Sequence, residues 1–167
     1  MIRTLPFSFL ILIAVDHAAA CTCVSALSAT ALTEMADAAR VFRGTVVETK
    51  RLPEHREVRQ RFAITFRINR FWKGASGPTV TLYDLSPGTD CQGFGFEVGK
   101  EYLVYASEQP AKDFKLDGHL FYAWTDLFAE GTAMLRPMSC SSTGLTSEKY
   151  VRHALGELGP GRAAPRP

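Results

Sequence analysis

Between residues 61 and 69 polar and apolar side chains alternate. Phe62, Ile64, Phe66 and Ile68 fall on one side, with Arg61, Ala63, Thr65, Arg67 and Asn69 on the other. A period of two predicts a half-buried strand whose phenylalanines and isoleucines face the core. It runs on toward Phe71 and Trp72 with its parity broken at Arg70, where a bulge would re-aim the chain. Residues 41–50 carry Val41, Thr45, Val46, Val47 and Thr49, a β-branched composition that favours a second strand. Thr79, Val80, Thr81, Leu82 and Tyr83 predict a third strand, and the apolar residues 102–107 a short central one. The turn clusters Lys73-Gly74-Ala75-Ser76-Gly77-Pro78 and Ser86-Pro87-Gly88-Thr89-Asp90 punctuate them, and the charged residues 51–59 read as a solvated hairpin loop. Residues 108–138 carry the weakest pattern. They suit one more hairpin, with residues 120–124 as one arm and 132–135 as the other.

Helical spacing shows in two places. Ala31, Leu32, Met35, Ala38 and Ala39 follow Thr30, whose hydroxyl can cap the first turn. Near the end, Thr146-Ser147-Glu148 can open a helix running to about Leu158, which Gly159-Pro160-Gly161 would stop. The Pro/Ala/Arg tail at 159–167 is expected to be disordered. Five or more short strands with one or two flanking helices predict a single, mostly β domain over residues 21–158, a small antiparallel barrel.

Residues 1–20 have a different character. Arg3, an apolar run from Leu5 to Val15 and the small residues Ala18-Ala19-Ala20 fit a signal peptide cut before Cys21. The run is about half the roughly 20 residues that span a bilayer, so no transmembrane segment is expected in the mature chain. A cysteine after a signal sequence is also the acylation point of bacterial lipoproteins, although that signal prefers Leu, Val or Ile where Ala18 stands. Cys21 is then either a free first residue of a secreted, extracellular or periplasmic protein, or a lipid anchor. Cleavage removes one base, Arg3, and one acid, Asp16, so the net charge stays at +2. That balance makes no case for nucleic acid or an anionic membrane as partner.

Four cysteines remain in the mature chain, Cys21, Cys23, Cys91 and Cys140, and an even number in a secreted protein predicts two disulfides. A Cys21–Cys23 bridge would close too small a ring, which leaves two pairings open. Either ties the N-terminus to the regions of Cys91 and Cys140, each bridge worth on the order of 4 kcal/mol in the chain-entropy account. There is no Cys-x-x-Cys pair and the histidines are scattered, so no resident metal or cofactor is expected. Gly93, Gly95 and Gly99 lack the Lys-Ser/Thr ending of a phosphate loop. Neither Gly-x-Ser-x-Gly nor His-Glu-x-x-His occurs, and His55, His119 and His153 share no motif, so an enzyme is not expected.

Taken in order, several short motifs resemble the tissue inhibitor of metalloproteinases family within the netrin-like modules. They are Cys21-Thr22-Cys23 at a signal cleavage site, Val41-Phe42-Arg43-Gly44-Thr45-Val46, Phe71-Trp72-Lys73-Gly74, Cys91, Gly99-Lys100-Glu101-Tyr102-Leu103-Val104-Tyr105 and Cys140. The resemblance implies a five-stranded OB-type barrel with a disulfide-tethered N-terminus. It implies a secreted metalloendopeptidase inhibitor whose partner is a zinc metalloprotease. There the amine and carbonyl of Cys21 would displace the water on the target's catalytic zinc. Thr22 would enter the adjacent pocket, Cys23 would fix the next turn, and Thr89 and Asp90 would form a second contact strand. The implied bridges are Cys21–Cys91 and Cys23–Cys140. Animal members carry six cysteines in this domain, so the chain departs from them by one bridge and by the lack of a second, disulfide-rich domain. A non-inhibitory netrin-like binding module is the alternative.

Overall fold

The computed structural model describes residues 30–54, 60–74, 77–85, 93–116 and 119–164. In chain order the elements are α1 (Ala31–Asp37), β1 (Arg40–Arg51), β2 (Arg61–Lys73), β3 (Thr79–Leu85), β4 (Glu101–Pro110), β5 (Phe114–Leu116), β6 (His119–Tyr122), β7 (Ala133–Pro137), β8 (Gly144–Leu145), α2 (Lys149–Leu158) and β9 (Arg162–Ala163). The fold is mostly β, as the alternation predicts. An antiparallel sheet runs in the order β3-β2-β1-β4-β7, β8 adds to β4 and β9 to β2, and β5 pairs with β6 separately. The sheet curls until β3 and β7 lie against each other, so the five-strand path makes a barrel-like half-cylinder with two flanking helices.

The curl has a local cause. The β1–β2 ladder slips between Val41 and Phe42, between Arg43 and Gly44, and between Val46 and Glu48. Each extra residue bends its strand and increases twist. Two of these slips leave Trp72 and Asn69 unmatched on β2, on either side of the Arg70 where parity breaks in the sequence.

Strand β1 feeds two cores. Phe42 and Val46 join Ile64, Phe66, Ile68, Leu82, Phe96, Tyr102 and Val104 inside the barrel, all buried. Phe66 is at the centre, edge-on to Phe42 at 5.4 Å and to Phe96 at 5.2 Å. Such pairs add about 0.5–1.5 kcal/mol each to their burial. Val41 points the other way and packs with Leu103, Tyr105, Ala31, Ala38, Val151 and Ala154, which seats both helices on the outside of the sheet.

Three expectations are corrected. Residues 120–124 do not form a hairpin with 132–135: the strand ending at Tyr122 pairs with Phe114–Leu116, and β7 joins β4 instead. The first part of the tail is ordered, since Arg162 and Ala163 pair with Phe71 and Arg70 while Gly161, at φ 63, turns against the Trp72 ring. A side chain at position 161 would meet that ring at 2.8 Å. Arg61, read as part of a polar outer face, is 1% exposed. Its guanidinium donates to both carboxylate oxygens of Asp126 (2.5 and 2.9 Å), to Ala123 O and to Pro53 O (both 2.6 Å), and lies over the Trp124 ring. A buried cation is tolerable only when its donors are matched in this way.

Candidate functional site

Cys21, Thr22, Cys23, Thr89, Asp90 and Cys91 lie outside the described residues, whereas Cys140 lies within them. What is described is the framework from which those segments leave, and it has three parts.

The first is the start of α1, where the N-terminal segment joins the domain. Thr30 caps the helix, its hydroxyl accepting from Thr33 N at 3.2 Å. The next residue is held from two elements: Ala31 N donates to Glu157 Oε2 of α2 at 2.7 Å, and Ala31 O accepts from the Tyr105 hydroxyl of β4 at 3.3 Å. At the other end Lys73 Nζ donates to Met35 O (3.0 Å) and Ala36 O (2.8 Å), a cation placed where a helix C-terminus favours one. A helix of seven residues is too short to be stable alone, so these contacts fix it.

The second part is the turn that carries Cys140. Met138 N donates to Tyr105 O at 2.8 Å, and Tyr105 N donates to Thr143 Oγ1 at 2.9 Å, so both ends of the turn hang on one β4 residue. Ser141 Oγ donates to Met138 O at 2.8 Å across the turn. Ser142 N donates to Glu34 Oε2 at 2.8 Å, which ties the turn to α1. Cys140 has φ 57, the left-handed region, and is the one non-glycine residue there among the described residues. That conformation costs on the order of 1 kcal/mol, and the bonds on either side hold it. Cys140 is disulfide-bonded. Its partner is outside the described residues.

Tyr105 is the hub of these two parts. It is fully buried, and burial first, then the carboxylates of Glu34 and Glu157, push its hydroxyl well above the ordinary 10.0. The hydroxyl therefore stays a donor to Ala31 O at any physiological pH.

The third part is the base of residues 86–92. Asp84, 3% exposed, accepts from Leu85 N at 2.8 Å through Oδ1 and from Phe94 N at 2.9 Å through Oδ2. One carboxylate thus gathers the residues just before and just after the segment containing Thr89, Asp90 and Cys91.

The second and third parts converge. A pocket of about 190 Å³ is lined on one side by Phe94, Gly95, Phe96 and Glu97 and on another by Thr143, Gly144 and Leu145, with Tyr102, Glu148 and Tyr150 completing it. Phe94 is three residues after Cys91 and Thr143 three after Cys140, so both cysteine-bearing segments leave from the rim of one pocket.

Several of these residues escaped the sequence reading. Glu34 and Thr143 are polar residues that no sequence pattern singles out, and both are buried. Asp84 alone carried a signal, an aspartate just ahead of a Ser-Pro-Gly turn, where a carboxylate commonly takes up loop N–H groups. Among the described residues no group of three or more His, Cys, Asp or Glu could hold a metal ion, and no helix is long and apolar enough to cross a membrane. No protein-family model and no curated protein matches the chain.

Proposed function

We propose that this chain is a secreted metalloendopeptidase inhibitor, cut after Ala20, that acts through the residue this cut exposes. The amine nitrogen and carbonyl oxygen of Cys21 form a five-membered chelate on the target's catalytic zinc and displace the water needed for hydrolysis. Thr22 fills the neighbouring pocket of the protease, and Thr89 and Asp90 lie alongside as a second contact. The chain needs no cofactor of its own for this, since the zinc belongs to the target.

The observation that carries the reading is the convergence of the Cys140 turn and the segment after Cys91 on one pocket, together with the disulfide at Cys140. Cys21 and Cys23 are two residues apart, and each bridge spans about 6 Å between α-carbons. Two bridges to the N-terminus therefore require Cys91 and Cys140 to lie within about 20 Å of each other. The lining of one pocket by residues three beyond Cys91 and three beyond Cys140 supports such a pairing. A bridged N-terminus is ordered before it meets the protease, which reduces the entropy lost on binding. The bridges proposed are Cys21–Cys91 and Cys23–Cys140.

The test is intact-mass and N-terminal analysis of the exported protein, with disulfide mapping and assay against a panel of zinc endopeptidases. The proposal expects a chain starting at Cys21 with two bridges that inhibits at least one member. A lipid-sized increment on Cys21 would replace it with an anchored protein. A free Cys21 without inhibition of any member would replace it with a netrin-like binding module.

A further inference from the structure

The pocket at the junction has a chemistry of its own. Its described lining contains two carboxylates, Glu97 and Glu148, and no lysine or arginine. Glu97 is exposed at the mouth and Glu148 is half-buried. Glu148 Oε2 is out of contact with solvent, and the one donor beside it is the neutral Tyr150 hydroxyl, whose bond to Thr143 O draws it away from ideal geometry. A carboxylate oxygen shielded from water and served by one neutral hydroxyl is under-matched, and a charged donor brought to it recovers part of its desolvation cost. Two hydroxyls stand nearby: Tyr102, whose oxygen accepts from Glu97 N at 3.0 Å, and Tyr150, which donates to Thr143 O at 3.3 Å. Burial first, then the hydrogen bond to Glu148 and that carboxylate's charge, keep the Tyr150 hydroxyl protonated beyond the ordinary tyrosine range.

The walls are aromatic. Phe94 and Phe96 are stacked at 5.5 Å, and Tyr102 stands edge-on to Phe96 at 4.9 Å. Tyr150, part of the lining, is 52% exposed, so apolar surface continues outward from the pocket. Size narrows the occupant. At about 190 Å³ the pocket is below the usual range for cofactors and drug-sized ligands, and it suits the head of a single long side chain.

We propose that this pocket receives one cationic side chain, arginine or lysine, presented by a partner protein. The charged head meets Glu148 Oε2 and Glu97 over the faces of the aromatic rings, and the aliphatic stem lies along Tyr150. Gly144 is part of the design, because a β-carbon there would come 2.1 Å from the Tyr150 hydroxyl and 2.7 Å from Glu148 Oε2 and would displace both. The proposal does not rest on zinc chelation by Cys21.

The test is an NMR titration of the isotope-labelled protein with N-acetyl-arginine methylamide and, in parallel, with N-acetyl-citrulline methylamide, its uncharged isostere. The arginine probe is expected to shift the amides of Gly95, Phe96, Glu97 and Gly144 and to bind at least about fivefold more tightly than citrulline, the size of one good ion pair. In a Glu97→Gln, Glu148→Gln double variant with an otherwise native spectrum the preference should vanish. No localised shift, equal binding of the two probes, or an unchanged preference in the double variant would overturn the proposal. Because the two probes are compared on the unaltered protein, a variant that fails to fold leaves the test standing.

Discussion

The two cysteine-bearing segments are attached to the barrel in different ways. The Cys140 turn hangs on several independent bonds: two from the Tyr105 backbone, one across the turn through Ser141 and one to Glu34 of α1. The 86–92 segment is gathered at its base by one carboxylate, Asp84, serving both Leu85 N and Phe94 N. Among the described residues the first arrangement spreads its load over several side chains, and the second shows one carboxylate at both ends of the segment. For the proposed inhibitor the difference assigns roles. There the turn would be a post for one bridge, and Asp84 would set where the second contact strand leaves the barrel.

Losing the bridge should have the largest effect. Cys140→Ser is expected to lower unfolding stability in urea by about 5 kcal/mol, the chain-entropy value for a loop of roughly 100 residues. A loss that persists when both proteins are compared under reducing conditions would show that the turn geometry, and not the bridge, is responsible. Next comes Asp84→Ala, which strands two backbone donors and should cost about 2–4 kcal/mol. Hydrogen exchange at Phe94 should accelerate strongly while exchange at Ser142 does not change.

Smaller effects sharpen the contrast. Thr143→Val removes the acceptor for Tyr105 N and should cost about 1–2 kcal/mol, yet leave Ser142 protected because its bond to Glu34 is independent. Tyr105→Phe should cost about 1 kcal/mol at neutral pH through the lost bond to Ala31 O. Its second signature is alkaline. The folded protein holds the Tyr105 proton above the pH near 10.0 at which the unfolded chain releases it. Stability from this residue is therefore complete below pH 10 and declines above it, by up to about 1.4 kcal/mol per pH unit. In the phenylalanine variant that part of the slope should disappear, read by urea unfolding between pH 9 and 11.

The sheet was legible where one face is buried and one is not. Phe62, Ile64, Phe66 and Ile68 could be assigned to the core because their neighbours are polar, and Thr30 announced its helix by capping chemistry. Arg61 was misread for the same reason. Alternation reports which residues differ from their neighbours, whereas the cover over Arg61 comes from residues 123–126, more than sixty positions away. The tail was misread because Pro/Ala/Arg composition says nothing of the Trp72 ring on which Gly161 rests. The framework of the site was the least legible part. Tyr105, Glu34, Thr143 and Asp84 act through single hydrogen bonds to distant backbone, and such bonds leave no periodic trace. Of the residues proposed to meet a protease, the sequence motifs alone speak, through Cys21, Thr22, Cys23, Thr89 and Asp90.

The most direct measurement of the central claim compares inhibition of a sensitive zinc endopeptidase by the chain starting at Cys21 and by the same chain with one alanine added before it. The alanine is expected to leave the barrel and both proposed bridges in place while moving the amine off the residue proposed to chelate. The account predicts that inhibition by the extended chain is lost, and that inhibition by the unextended one weakens as pH falls below the α-amine's range of about 7.7 to 8.0, because only the neutral amine binds zinc. Equal inhibition by the two chains would contradict chelation by Cys21.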